Sequence, residues 1–393
     1  MTDYKVEPLK NNVKEMFIGP FGSSLKNDCF VPENEAFCMV YEQKHAIQKR
    51  MDVETRYVDE EKYNELKRFN IRGGDIIVSC RGTIGETYII PDDAPLGIMH
   101  PSIMKIRLKD GVYDKVYFNL LLQKRLREHI HKANGSGIKM AISANELGNE
   151  LFPVPTMNEQ LSISSIVLKV TDIISARKQE IQLLDDLIKA RFVEMFGDTI
   201  LNPFGWDKEL LGTVCDVRDG THDSPQYYDT GFPLVTSKNV TGGKIDLSDC
   251  SLICEADYKK INERSNVDIG DILMPMIGTI GNPVIVDIEP RFAIKNVSLI
   301  KFKPASKVLN IYIRTLLQSD YFDDAVLGKV RGGTQKFISL GDIRKLEILV
   351  PPVNLQNEFA AFVAQIDKSK FAVQKALDEA QLLFDSLMQE YFG

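Results

Sequence analysis

Gly74-Asp75-Ile76, with Gly82-Thr83-Ile84-Gly85 just after it, occurs a second time as Gly270-Asp271-Ile272 and Gly278-Thr279-Ile280-Gly281. Working outward, Ile142-Ser143 returns as Ile338-Ser339, Val154-Pro155 as Val350-Pro351, and Phe196-Gly197 as Phe392-Gly393, every pair 196 positions apart in a chain of 393 residues. Chance matches do not hold one register over such a span, so the chain is read as a tandem duplication of one unit. The register is expected to break only near the start of each copy, where residues 5–41 match residues 208–236 loosely. A kept scaffold with altered loops is what two related binding modules with different targets would look like.

Each copy has two parts. In the first, Asp75–Ser79 and Glu86–Ile90 read as short strands around the glycine turn, and Ser102–Leu108 alternates as a strand. Val116–His131 then reads as a helix stopped near Gly135. Its copy should run as one helix from about Ile311 to Leu327, ahead of Gly328. The second part is one long helix. Thr156 and Glu159, just after Pro155, form a capping box. A seam stepping 4, 3, 4, 3 follows: Ile163, Val167, Val170, Ile174, Arg177, Ile181, Leu184, Ile188, Arg191 and Met195. The second copy gives Phe359, Val363, Ile366, Lys370, Val373, Leu377, Ala380, Phe384, Leu387 and Tyr391. One domain cannot bury an apolar seam roughly 55 Å long, so the two helices are expected to bury each other, antiparallel, with Gly393 returning to the first module. Arg177, Arg191 and Lys370 interrupt the seam. They either fix register against Asp172, Asp185 or Asp378, or extend their charges to water. The fold class is thus α+β: two pseudo-symmetric mixed α/β domains (1–155 and 198–351) joined by two long antiparallel helices in a coiled coil (156–197 and 352–393).

Composition narrows the function. The net charge of −7 argues mildly against a chain that coats nucleic acid by itself, but local basic patches decide binding. Neither a signal peptide nor a membrane span is expected. The six cysteines form no CxxC pair and read as free thiols of a reducing cytosol. No Walker A string is present, and Asn202-Pro203-Phe204-Gly205 and Pro351-Pro352-Val353-Asn354 do not fit a methyltransferase catalytic segment. Glu65-Leu66-Lys67 resembles the tail of a nuclease motif but sits in the charged run Asp59–Arg68 and has no second copy. His129 and His131, two apart on a helix, do not share a face, so no metal site is expected.

Binding chemistry, by contrast, repeats. Three loops per copy combine glycine with hydroxyl, amide or basic side chains, a mixture suited to phosphates and base edges. The first loop contributes Ser23 and Ser24 in one copy, and His222 and Ser224 in the other. The glycine turn contributes Arg81 and Thr83, with Thr279 as counterpart. A third loop contributes Ser136 and Lys139, with Arg331, Thr334, Gln335 and Lys336 as counterparts. Lys44, Lys238 and Asn239 complete the candidate DNA contacts. Gln335 is the expected base reader and Lys336 the expected phosphate contact, while His222 is also compatible with a solvated turn.

The repeated Gly-Asp-Ile strand, the Gly-Thr-Ile-Gly turn, the Ile-Ser segment and the proline-led start of a long helix together resemble the specificity subunit of type I restriction–modification systems, over essentially the whole chain. The resemblance implies a non-catalytic, cytoplasmic DNA-recognition subunit. Each domain would read half of a bipartite target on double-stranded DNA. It also implies two methyltransferase subunits and added motor–nuclease subunits as partners. S-adenosylmethionine, ATP and Mg would then be used on those partners, with no cofactor or metal held by this chain. A different reading remains open: a coiled-coil scaffold without sequence-specific DNA contact.

Overall fold

The computed structural model describes residues 4–134, 143–277, 280–304, 306–325 and 337–393. The chain divides into two compact units, Met1–Ala176 with Leu377–Gly393, and Arg177–Ala376. In the first, strands Val13–Ile18, Ile103–Leu108, Ile76–Ser79 and Thr87–Ile89 form an antiparallel sheet in that order. Beside it lies a mixed sheet of Arg56–Val58, Cys38–Tyr41, Gly97–Met99 and Asn70–Ile71, whose two central strands run parallel. Lys5–Pro8 pairs with Leu151–Val154, the strand leading into the long helix.

The second unit repeats this topology. Asp216–Asp219, Val297–Lys301, Ile272–Pro275 and Val284–Ile285 make the antiparallel sheet. Ser251–Ile253, Phe232–Val235 and Ala293–Ile294 make the mixed one. Asp207–Leu210 pairs with Glu347–Val350.

The repeated Gly-Asp-Ile has a physical cause. Gly74 and Gly270 turn the chain at φ +80° and +91°, a region only glycine enters cheaply. The aspartate that follows is buried and ties the turn to a cation on the neighbouring strand. Asp75 accepts from the Arg72 backbone N–H at 2.8 Å and from two Arg107 nitrogens at 2.7 Å each. Asp271 accepts from the Asp268 N–H at 2.8 Å and from Lys301 Nζ at 2.5 Å.

Two sequence expectations need correction. The 196-residue register lapses between the glycine turn and the long helix, and is regained at Ser143 and Ser339, which cap equivalent helices. Val78 and Met274 are equivalent, yet they pair with Met104 and Ser298, which are 194 positions apart. The intervening connection is two residues shorter in the second copy. A shift of two leaves the same faces inward, because side chains alternate with a period of two. The second correction concerns the helix of each module. Lys115–Asn134 is continuous, but its copy is broken into Asn310–Leu316 and Asp320–Ala325. At the break both the Ser319 N–H and its Oγ donate to the Leu316 carbonyl, at 3.2 and 2.6 Å. A serine hydroxyl competing for a backbone acceptor in this way favours a turn over another helical turn.

The long helices span Met157–Phe196 and Val353–Phe392. The first begins with the capping box, Thr156 N–H to Glu159 Oε2 at 2.9 Å and Glu159 N–H to Thr156 Oγ1 at 3.4 Å. Within the first unit, Val170 and Ile174 pack with Leu377, Ala380, Phe384 and Leu387, and Ile163 and Val167 enter the module core. Within the second, Phe192 packs on Phe359 with ring centroids 5.5 Å apart, and Lys370 reaches Asp185 at 2.5 Å, so the helices run antiparallel there. Ile188, Val363 and Ile366 are buried in the same unit, Val373 is 9 % exposed, and Ile181 and Leu184 are half-buried. Of the seam cations, Lys370 thus fixes register. Arg177 and Arg191 instead pair along their own helix with Glu180 and Glu194.

The seam drifts at both helix ends. Arg191 and Leu387 are expected on it, but Phe192 and Met388 are the residues with 3 % and 7 % exposure. A helix of 3.6 residues per turn rotates about 20° per heptad against a strict 3.5 repeat. Four heptads after Ile163 or Phe359 the buried face has therefore moved by close to one residue. The displaced residues become anchors: Phe196 packs on Tyr312 in the second unit at 4.9 Å, and Phe392 packs on Tyr117 in the first at 5.3 Å.

A fully buried glutamine locks each helix start. Gln160 accepts from the Asp114 N–H at 2.8 Å and donates to the Val112 and Pro155 carbonyls at 3.0 and 2.9 Å. Gln356 does the same with the Leu309 N–H and the Lys307 and Pro351 carbonyls. Replacing Gln160 by leucine strands three backbone groups, and we expect a loss of about 3 kcal/mol in denaturant unfolding of the first unit. Phe392→Ala should cost a similar ~3–5 kcal/mol in the same unit. A loss under about 1 kcal/mol for both, well below these magnitudes, would remove the helix–module junction as a determinant of stability.

Candidate nucleic-acid interface

In the first unit the candidate residues lie around one turn. The loop after Ile18 begins at Gly19, whose N–H donates to the Ile103 carbonyl and whose missing Cβ would collide with the His100 carbonyl. The His100 N–H in turn bonds the Tyr41 carbonyl, at the start of the helical turn Gln43–Gln48. Cys80, at the mouth of the glycine turn, donates its N–H to Ser102. Three loops thus meet at His100–Ser102. Arg81, Thr83 and Ser23 are exposed there, and Lys44 and Ser24 are half-buried.

Beneath them lies a polar cluster the sequence reading missed. The buried Glu42 binds Arg56 and, at 2.9 Å, Lys44. Burial opposes ionisation of Glu42, but these two cations outweigh it and hold its carboxyl below the usual range. Burial lowers the pKa of His45 and of His100, so both favour the neutral form. His45 Nδ1 accepts from the Glu42 N–H at 3.0 Å, closing a capping box that positions Lys44.

The second unit builds the same place with other residues. Gly220 lies against the Ile294 carbonyl as Gly19 does against His100, and Thr221 donates its N–H to Ile294. His222 faces Asp219 Oδ2 through Nε2 at 2.9 Å and Asn296 Oδ1 through Nδ1 at 2.8 Å. Those bonds, Asn296 first, raise its pKa. Arg264 pairs with the other oxygen of Asp219, and Lys295 donates to Ser224 Oγ at 2.7 Å. Lys238 is exposed, 3.4 Å from Asp249. The structure turns Asn239 inward: it is 3 % exposed, and its Oδ1 caps the Thr236 N–H at 3.0 Å. It is therefore the counterpart of His45, a support for Lys238 and not a surface contact.

Ser136, Lys139, Thr279, Arg331, Thr334, Gln335 and Lys336 lie outside the described residues. The cluster at Glu42, Arg56 and His100 escaped the sequence reading because its members are scattered over 59 positions and share no motif with the second copy. A hint was available in the Lys-containing turns Glu42–His45 and Thr236–Asn239, whose first and fourth residues both cap.

Chemically, both places offer cations for phosphates and hydroxyls or amides for base edges. Among the described residues no group of His, Cys, Asp or Glu is arranged to hold a metal ion. Burial pushes the thiols of Cys38 and Cys80 up to about 11 and that of Cys215 to about 12, so none supplies a thiolate at neutral pH. Among the described residues no helix is long and apolar enough to cross a membrane.

These features define a two-module binding protein, and the comparisons say of which kind. The model of the type I restriction modification DNA specificity domain matches residues 34–184 and 203–380, once in each copy, and the chain belongs to that family. Similar proteins include the MjaIX specificity subunit of Methanocaldococcus jannaschii, 24 % identical over 343 residues, which are 80 % of this chain and 76 % of the relative. The MjaVIII specificity subunit of the same organism is 24 % identical over 339 residues, 79 % of this chain and 78 % of the relative. The EcoKI specificity subunit of Escherichia coli is 24 % identical over 184 residues, 45 % of this chain and 39 % of that one. Two solved structures share the fold over the whole chain. One, from work on complex assembly and conformational transition of a type I restriction–modification system, has a TM-score of 0.57 at 16 % identity and is 98 % covered. The other, the specificity subunit of M. genitalium, has a TM-score of 0.54 at 14 % identity and is 97 % covered. The chain is thus a type I specificity subunit, the non-catalytic kind of component whose implied role is DNA target recognition.

The His222 network makes a signed prediction. Its pKa is raised by folding, so its contribution to stability is complete below the unfolded value, near 6.5, and is lost as pH rises through the higher folded value. The unfolding free energy of the wild type minus that of His222→Gln should therefore be largest near about pH 6 and shrink towards about pH 8.5. A difference that grows with pH would contradict the network.

Proposed function

We propose that each unit reads one half of a bipartite sequence in double-stranded DNA, and that the long helices carry the methyltransferase subunits that act on it. One observation carries the reading: two units of the same topology expose different cationic and polar side chains on equivalent loops. Residues 1–155 and 198–351 serve as the recognition domains, with 156–197 and 352–393 as the spacer helices. Ser23, Ser24, Lys44, Arg81, Thr83, Ser136 and Lys139 belong to the first half-site. His222, Ser224, Lys238, Thr279, Arg331, Thr334, Gln335 and Lys336 belong to the second, with Asn239 supporting Lys238 from below.

Support for a partner surface comes from the helices themselves. Outside the seam they leave Ile173, Leu183, Phe371 and Leu382 at 48, 59, 75 and 70 % exposure, a density of apolar side chains that argues for cover. In this reading two methyltransferase subunits bind there and use S-adenosylmethionine, and motor–nuclease subunits add ATP- and Mg-dependent cleavage. The assembly works in the cytoplasm, where the DNA is.

The test uses the assembled complex on a duplex library varied in each half-site, at two salt concentrations. Arg81→Ala should weaken binding and lower the log–log salt slope by about 0.9 for each phosphate left without its cation, with altered preference confined to one half-site. Lys238→Ala should act on the other half. The chain alone should neither methylate nor cut. If both substitutions left the library ranking and the salt slope unchanged, the scaffold-only reading would replace this one.

A further inference from the structure

The Gly19–Ser24 loop and its counterpart Gly220–Pro225 differ in one respect that their shared position does not explain. Phe21 is 87 % exposed, the highest value among the large apolar residues described. The second loop presents its aromatic rings later and less fully: Tyr227 and Tyr228, just after Pro225, are 51 and 44 % exposed. Phe21 is nevertheless not carried on a loose strand of chain. Pro20 fixes the backbone before it. After it the 3-10 turn Gly22–Ser24 is closed by the Ser24 N–H to the Phe21 carbonyl at 2.9 Å, and the buried Leu25 anchors the far end. The ring is therefore presented to solvent from a defined backbone.

Gly22 sharpens the point. Unlike Gly19, it has no internal reason to be glycine. It is absent from the positive-φ positions, and a Cβ built on it would meet no atom within 4 Å. The bare backbone beside the exposed ring faces outward, where close approach by something external would need it. The surroundings indicate what approaches. Gly19, two residues before the ring, rests on the turn that gathers Arg81, Lys44 and Arg56 within electrostatic reach of His100. An apolar ring beside a cationic rim suits a polyanion with an apolar interior, and stacked bases inside a phosphate backbone are such a ligand.

We propose that Phe21 inserts as a wedge at a base step of the half-site read by the first unit. The proposal rests on the DNA-recognition reading above. It implies that the first half-site, or its border, contains an easily unstacked pyrimidine–purine step.

The experiment uses the specificity subunit assembled with its methyltransferase partner, and duplexes of the sequence methylated in the host. 2-Aminopurine is placed singly at successive positions of both half-sites. Binding of the wild type should raise fluorescence at one step of the first half-site. In Phe21→Ala the rise should disappear and affinity should fall about tenfold, as expected when a base is deprived of its aromatic partner. Phe21→Leu, still apolar and bulky, should keep most of both. A mismatch at that step, which removes the unstacking cost beforehand, should restore binding of Phe21→Ala more than it improves the wild type. The wedge is overturned if the fluorescence rise persists in Phe21→Ala. It is equally overturned if the substitution reduces recovery of the methyltransferase subunit while the DNA signal of the assembled complex is unchanged, which would make Phe21 a protein contact. Failure of the underlying reading looks different: the wild-type complex would then show no preference for the methylated sequence over scrambled duplex.

Discussion

The burial of Phe196 against Tyr312, and of Phe392 against Tyr117, is the contact on which the rest of the molecule depends. Each module contributes a sheet and a helix that cannot close their own core. In both units the missing side is supplied by the last turn of a long helix that does not originate from that module. Helix one, which follows the first module, ends in the core of the second unit. Helix two, which follows the second, ends in the core of the first. Gln160 and Gln356 hold the opposite helix ends with three hydrogen bonds each, so every long helix is fixed at both ends by buried contacts.

That division of labour leaves the loops free of structural duty. The turn at His100–Ser102 and its counterpart at Ile294–Asn296 are set by backbone hydrogen bonds and by the close approach of Gly19 and Gly220. What projects from them can change without touching the core. In one unit a cluster of Glu42, Arg56 and His45 supports Lys44; in the other, Thr236 and Asn239 support Lys238 through an equivalent cap. The supports differ chemically and the geometry is kept, as expected if the scaffold is selected for shape and the surface for its ligand.

The duplication, the strands, the capping box and most of the helix seam were legible in the sequence, because each rests on periodicity or on a motif. Three features were hidden for identifiable reasons. The shift from 196 to 194 was invisible because an alternating pattern is blind to a displacement of two. Phe192 and Met388 were missed because a strict heptad ignores the slow rotation of a 3.6-residue helix. The polar cluster beneath Lys44 was missed because Arg56 reaches Glu42 through one antiparallel strand pair, and His100 joins them only through the parallel pairing of Cys38–Tyr41 with Gly97–Met99. No spacing rule along one chain anticipates a parallel pair.

Equivalent strands of the two copies tolerated a difference of two positions because inner and outer side chains kept their places. A difference of one in the pairing would have turned Val297 and Leu299 towards the core that holds Ile300, and Ile300 towards theirs. Insertions and deletions between strands are absorbed in the loops: Gly19 and Gly220 are 201 positions apart and Glu42 and Thr236 only 194, a difference taken up by the connection between them. The constraint falls on the face each strand presents, not on the length of chain that joins it to the next. Variation in what the modules recognise would then accumulate in loop length and sequence, with the fold checking only that each strand re-enters on its proper face.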